Sequence, residues 1–530
     1  MVWLDRISAK AHWIALLLTL IGTARIVATY DVFHHTIDEG FHIACGLEWI
    51  TRGTYKIEAQ HPPLARVLAA IGPWKLNAKL IDDPRADMYD QALSAFYSTD
   101  ANYDGRLRWA RAAMLPAFWL LCWVVWAACA RWFSRLIALG SVVFLTTMPA
   151  ILAHSGLATT DAVFTATFCG LMAATMLLVE RPAWKTGVLF GVALGLALVS
   201  KFSTLAFVPS CLAAALLFAW PGKKEVVAVV KRTWKPALAG GLLALFIVWA
   251  AFRFSYGPAR TLSFHVPAPE FFNGIEEARQ HNEIGHDSWL LGEFSKTGFW
   301  YYYPAALLFK TPVAFQLLVI PGIWLLFRSG RKRDRVVIGL MLGMIAFSVT
   351  SHINIGVRHV LPVYVFAAVM AAATAEYLLR EWKRRWTAGM LTGLLAWQVG
   401  TSAMAHPDYL AYFNFLAGSK PEEVLVDSDL DWGQDMKRLI ARLNQLGVKQ
   451  FAFDPAIYGL WVEYHGMPQN VPLNPDSPRP GWNAVSLTFN KLTRMNTREK
   501  NPTRIIWTDY TEPTERVGKG ILLYYQPPAK

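Results

Sequence analysis

After Cys211 the sequence contains no cysteine, and the five present, Cys45, Cys122, Cys129, Cys169 and Cys211, follow no paired spacing. That excludes a disulfide framework and a zinc site built on cysteine pairs. Charge is also scarce: 17% of the 530 residues are charged, 54% are hydrophobic, and the mean hydropathy is +0.29. Such a balance is too apolar for a soluble globular chain and points to a polytopic membrane protein with some extramembrane mass. Internal repeats, low-complexity tracts and an inverted pair of the transporter kind are lacking. The net charge of +13 raises nucleic acid as a partner, but the basic residues flank apolar stretches rather than cluster on one soluble domain.

The apolar stretches number eleven, at about 11–29, 110–130, 136–153, 162–179, 186–200, 203–220, 236–254, 303–327, 336–350, 360–379 and 387–405. The first is too long for a signal peptide and lacks a small-x-small cleavage site, so it is expected to remain as a span. With the N-terminus inside, every inner loop is basic, from Arg131/Arg135 to Arg380/Lys383/Arg384/Arg385, as the positive-inside rule requires. A single helix over 186–220 would run about 52 Å, too long for a core of about 30 Å. The stretch therefore divides into two spans, with Lys201 at the outer turn.

This arrangement leaves three outer segments: a loop over about 30–109, a loop over 255–302, and the tail from 406 to 530. The chain thus reads as a helical membrane domain over 1–405 and a small extracytoplasmic α/β domain over 406–530. Within the tail, a helix is predicted over Gln434–Leu446. Strands are predicted at Val448–Phe453, Ala484–Phe489, Arg504–Trp507 and Ile521–Tyr525.

The first outer loop opens with Thr36-Ile37-Asp38-Glu39-Gly40-Phe41-His42. Thr36 fits a helix N-cap with Glu39 as its capping-box partner, and Gly53 is placed to stop the helix. Glu39 thus has a structural use that Asp38 lacks, and Asp38 shares one helical face with His42. Asp38 is the first choice for chemistry. Next comes His61-Pro62-Pro63, a helix start because proline is tolerated in the first turn. Leu64, Val67, Leu68 and Ile71 then form an apolar stripe, with Arg66 off it, suited to a helix lying along a membrane surface.

Further polar candidates lie on the same side. Asp161 follows His154–Thr160 in a short outer loop, where an acid could also serve as a helix cap. Lys310 lies inside an apolar span, and an intramembrane cation is a functional hypothesis by default. Arg358, His359 and Lys201 are also outer, against the positive-inside trend. Lys201 and Arg358 could snorkel to lipid phosphates; with Lys310 they could instead frame a pocket for a lipid-linked phosphate, Arg358 making a forked contact. His265, His281, Glu283 and His286 fit no strong zinc template. The run Phe299–Tyr303 fits an interfacial aromatic belt. Asp429, Asp431 and Trp432 open the tail in Asp-Ser-Asp-Leu-Asp-Trp-Gly-Gln-Asp, which does not follow a calcium-binding loop.

Several of these motifs together resemble the GT-C glycosyltransferases. An Asp-Glu after the first span is followed by His-Pro-Pro-Leu-Ala-Arg before a helix. The pattern continues through His154–Asp161, Gly195–Lys201, Tyr302–Pro312, Asn354–Pro362 and Asp427–Leu439. It is similar to the protein O-mannosyltransferase group and to the bacterial aminoarabinose transferases that act on lipid A. Two departures separate the chain from both. The 255–302 loop is too short for the β-trefoil insert of eukaryotic-type mannosyltransferases, and His61-Pro62 stands where the aminoarabinose enzymes carry Lys-Pro.

The resemblance implies an inverting transferase in the bacterial inner membrane, using a polyprenyl-phosphate sugar and a protein, lipid or glycan acceptor on the periplasmic side. It implies Asp38 and Asp161 as catalytic residues, and Glu39, His42, His61, Lys201, Lys310, Arg358 and His359 as substrate-binding. No cofactor is implied, and no essential metal, because the Asp161 loop lacks Asp-x-Asp. The alternative expectation is a transporter or flippase for a lipid-linked sugar, which predicts paired broken helices at mid-membrane and dispensable outer carboxylates.

Overall fold

A computed structural model describes residues 2–98, 102–381, 384–454, 466–474, 476–492 and 506–528. All eleven apolar stretches are helical. Among the described residues, five helices are long and apolar enough to cross a membrane, and two bent pairs bring the number to seven. The remaining four segments are Trp184–Leu198, Ser203–Phe218, Lys332–Ser348 and Arg385–Met404. The stretch over 186–220 does divide, with Lys201 in the turn between two helices.

The expected single span over 303–327 is instead two helices, Tyr302–Lys310 and Val313–Arg328, meeting at 119°. Pro312 is the cause. It has no N–H to continue the ladder and disfavours helical geometry at Thr311. The carbonyls freed by the break must find donors. Asn414 Nδ2 supplies them to Leu308 and Thr311 at 2.7 and 2.8 Å. The stretch over 136–153 is also broken, at Met148-Pro149, with a bend of 67° between Arg135–Thr147 and Pro149–Ser155.

Among its described residues the first loop folds into four helices, Ile37–Thr51, Pro63–Lys75, Met88–Tyr97 and Tyr103–Ala112. The first two pack unusually close because Gly46 has no side chain: a Cβ there would stand 2.1 Å from the Arg66 carbonyl oxygen. The face that packs there is not the apolar stripe. Arg66, predicted to lie off the apolar stripe, is fully buried, while Ile71 of the stripe is exposed. The 255–302 loop holds the helix Pro269–Ile284 between two short hairpins.

The tail is an α/β unit as expected. Its sheet, five-stranded among the described residues, has the order Gln469–Pro472, Gln450–Asp454, Gly481–Ser486, Ile521–Gln526, Glu515–Val517. The first three strands pair in parallel and the last two antiparallel. The helix Met436–Gln445 buries Met436, Leu439, Ile440 and Leu443 against Phe451, Phe453 and Leu523. Of the expected strand at Arg504–Trp507, Arg504 and Ile505 lie outside the described residues, and Trp507 begins a 3-10 turn.

Candidate active site

Two ion pairs define a polar centre at one end of the helix bundle. Asp38 begins the Ile37–Thr51 helix, and its carboxylate accepts a hydrogen bond from Arg358 Nη1 at 2.7 Å. Its side chain is 25% exposed while that of Arg358 is 9% exposed, so the carboxylate opens to solvent and the guanidinium does not. Arg358 comes from a 3-10 turn, Val357–Val360, more than 300 residues along the chain. Its Nε is buried with no hydrogen-bond partner. Such a donor is costly to leave unmade and marks a place for an acceptor from outside the fold. The second pair joins Asp161, first residue of the Asp161–Glu180 helix, to Lys201 Nζ at 2.7 Å. Thr159 Oγ1 donates to the other Asp161 oxygen at 3.2 Å.

Histidines surround these pairs, His42, His61 and His359 among them, with buried His154 also beside Asp161. His42 Nδ1 accepts from Arg66 Nε at 3.1 Å, and its ring stands 5.2 Å from that of His61. Arg66 also holds the Glu58 carboxylate and the carbonyl oxygens of Glu58 and His61. Burial, then the Arg66 charge, keeps the His42 imidazole far below its ordinary range. Burial and Lys201 lower His61 to about 4, and burial with Lys201 and Arg358 lowers His359. All three are neutral at neutral pH, so they offer ring nitrogens rather than positive charge.

This has a consequence for acid stability. An unfolded imidazole takes up its proton near pH 6.5, whereas native His61 resists until about 4, so native stability is lost as pH falls between those values. The loss from His61 is at most about 3 kcal/mol. Burial raises Asp431 to about 6, which acts the other way, since its contribution is lost as pH rises through the raised value. Comparing His61→Gln with the natural chain isolates the histidine. In detergent thermal melts from pH 7 to 4.5, the variant is expected to lose less Tm; parallel curves would remove His61 from the account.

Glu39 and Lys310 are placed differently from the open carboxylate of Asp38. Glu39 is fully buried; besides capping Thr36 N–H at 2.8 Å, it accepts from Arg111 Nε and Nη2 at 2.9 and 2.8 Å and from Ala158 N–H at 2.9 Å. The pair ties the first loop to the loop that carries Asp161. Lys310 ends the first half of the broken helix. Its ammonium donates to the carbonyls of Leu410, at 2.7 Å, and Asp429, and lies 4.2 Å from the Phe413 ring centroid. Among the described residues, no three His, Cys, Asp or Glu side chains gather as a metal-ligand set.

The sequence reading did not single out Arg66, Arg111 or Glu58. The two arginines sit in stretches that also read as amphipathic helix surface, and their burial follows from partners distant in sequence. One signal was present: both are basic residues on the side where the positive-inside trend predicts few.

A family model described as dolichyl-phosphate-mannose-protein mannosyltransferase matches residues 108–252. Two solved structures share the fold over nearly the whole chain. One is ArnT from Cupriavidus metallidurans bound to undecaprenyl phosphate, at a TM-score of 0.51 and 14% identity, covering 96% of this chain and 97% of that one. The other is the same protein in the apo state, at 0.53 and 13%, covering 97% and 98%. No curated protein matches the sequence. The chain therefore shares the fold of these ArnT structures, a polytopic helical membrane protein with a small C-terminal sheet domain, and over residues 108–252 it resembles the mannosyltransferase family.

Proposed function

We propose that this protein is a membrane glycosyltransferase that moves a sugar from a polyprenyl-phosphate donor to an acceptor on the outer, periplasmic face, inverting the anomeric centre. The observation that carries the reading is the Asp38–Arg358 pair, an accessible carboxylate beside a buried guanidinium with one N–H edge unmade. ArnT, whose fold this chain shares, has been solved with undecaprenyl phosphate bound, which supports a lipid phosphate as the group that Arg358 receives.

In this reading the donor phosphate takes the free Arg358 Nε edge, with Lys201 the next cation in the centre. Arg358 then divides its charge between phosphate and Asp38. Asp38 accepts the proton of an acceptor hydroxyl or amine as the acceptor attacks the anomeric carbon. The bond to the phosphate oxygen breaks on the opposite face, and the phosphate leaves as an anion whose growing charge the cations stabilise. No general acid is required, because the leaving group needs no proton. Asp161 holds Lys201 in place, and the neutral histidines can accept or donate hydrogen bonds to the sugar without adding charge.

The two broken helices favour a second reading, a flippase for the same lipid, since broken spans are a transporter's way of exposing backbone to cargo. A reconstituted assay separates the two. Purified protein with a polyprenyl-phosphate sugar and an envelope extract is expected to release free polyprenyl phosphate and form a glycoconjugate of inverted anomeric configuration, read by mass spectrometry and NMR. Movement of the donor across the bilayer with its glycosidic bond intact would establish the flippase instead.

A further inference from the structure

The Asp427–Asp435 segment that opens the C-terminal domain reaches both halves of the Asp38–Arg358 pair. Trp432 is the residue that does so. Its carbonyl oxygen accepts the N–H of Ile37 at 3.1 Å, one residue before Asp38, at the start of the helix that presents the carboxylate. Its indole face lies against the Arg358 guanidinium, 4.2 Å from the ring centroid. Around it the segment is fastened to both neighbours. His34 N–H donates to the Gln434 carbonyl at 3.0 Å. Val357 N–H donates to the Asp429 carboxylate at 3.2 Å, next to Arg358. Gly356, at a φ of +119°, permits the approach, because a Cβ there would stand 2.7 Å from Ser428 Oγ.

We propose that Trp432 is the positioning residue of the active site. Through it the C-terminal domain holds the Arg358 guanidinium so that Nη1 meets Asp38 and the buried Nε–H stays unpaired for an anionic ligand. An arginine with a single hydrogen-bonded nitrogen can otherwise turn about its long side chain. A flat aromatic face removes that freedom and stabilises the cation, without competing for its in-plane donors. The domain is thereby a wall of the site rather than an appendage. This rests on the reading of Arg358 as a phosphate ligand given above.

The test uses full-length protein in nanodiscs and undecaprenyl phosphate as the probe, with affinity rather than transfer as the main readout. Trp432→Met keeps apolar bulk but has no aromatic face, and it is expected to weaken binding about 10-fold, whereas Trp432→Phe stays within about 3-fold. In an Arg358→Gln background, where no guanidinium remains to be held, Trp432→Met is expected to cause no further loss. A purely structural tryptophan would give losses that add in the double variant and track the fall in Tm.

Binding by Trp432→Met equal to the natural chain, an equal fall in Trp432→Phe, or additivity with Arg358→Gln would each overturn the proposal. If Trp432→Met does not fold, the smaller loss in Trp432→Phe and its disappearance in Arg358→Gln decide the matter. Tight, Trp432-dependent binding without sugar transfer supports this inference and overturns the transferase reading. Failure of the natural chain to bind the probe overturns both.

Discussion

Asp38→Asn is expected to lower sugar transfer by about 10²–10⁴-fold, the range for loss of a positioned general base, while leaving the protein folded. The asparagine carbonyl can still accept the Arg358 Nη1 hydrogen bond that the carboxylate accepts at 2.7 Å, so little of the local geometry depends on the charge. Arg358 is also not left without counter-charge, since Asp161 and Asp427 act on it electrostatically. In the proposed mechanism the substitution removes the group that takes the proton of the acceptor. The measurement is the rate of polyprenyl phosphate release from the sugar donor, with thermal melting as the control for folding. Turnover close to that of the natural chain would show that another group takes the proton, or that the activated donor needs no base.

The second large effect concerns stability. Arg111→Ala is expected to destabilise the protein by about 3–5 kcal/mol, the cost of leaving a buried carboxylate without its partner. The side chains of Arg111 and Glu39 are 1% and 0% exposed. Beyond Glu39, Arg111 donates to the carbonyls of Tyr30, Phe33 and His34, so the residue also closes the turn that leads into the Asp38 helix. A capping-box role alone gives Glu39→Ala a cost of only about 1 kcal/mol. The buried pair, with Ala158 N–H also depending on the carboxylate, places Glu39→Ala in the larger range with Arg111→Ala. Accumulation in membranes and melting in detergent distinguish the two scales. A Glu39→Ala variant that melts within a few degrees of the natural chain would mean that the pair is replaceable and the cap is all that matters.

The two effects bear on adjacent residues that the sequence presents as twins. Their separation into an exposed carboxylate and a buried one follows from the helix. With Glu39 turned inward to cap Thr36 and meet Arg111, Asp38 one residue earlier projects from a different face, toward the opening. The capping pattern Thr36-x-x-Glu39 made this split legible in advance. The partner Arg111 was not legible, because nothing local to residues 36–39 specifies what lies 72 residues away.

The sequence by itself determined the periodicities. Apolar runs long enough to bury their own backbone hydrogen bonds must be helices in a membrane, and all eleven are. The β-rich runs after the helix in the tail form a sheet, with strands at Gln450–Asp454, Gly481–Ser486 and Ile521–Gln526 that bury side chains on both faces. It also singled out Asp38, Asp161, Lys201 and Arg358 as candidates, because charge beside apolar spans is expensive and therefore conspicuous.

Only the tertiary structure decided how these residues combine. Asp38 meets Arg358, Asp161 meets Lys201, Lys310 is held by backbone carbonyls and Trp432 braces the guanidinium. The physical reason is one of range. Helix and strand formation are governed by neighbours within a few residues, whereas an ion pair between residues 320 apart depends on how the whole bundle and its C-terminal domain pack. No local pattern encodes that packing.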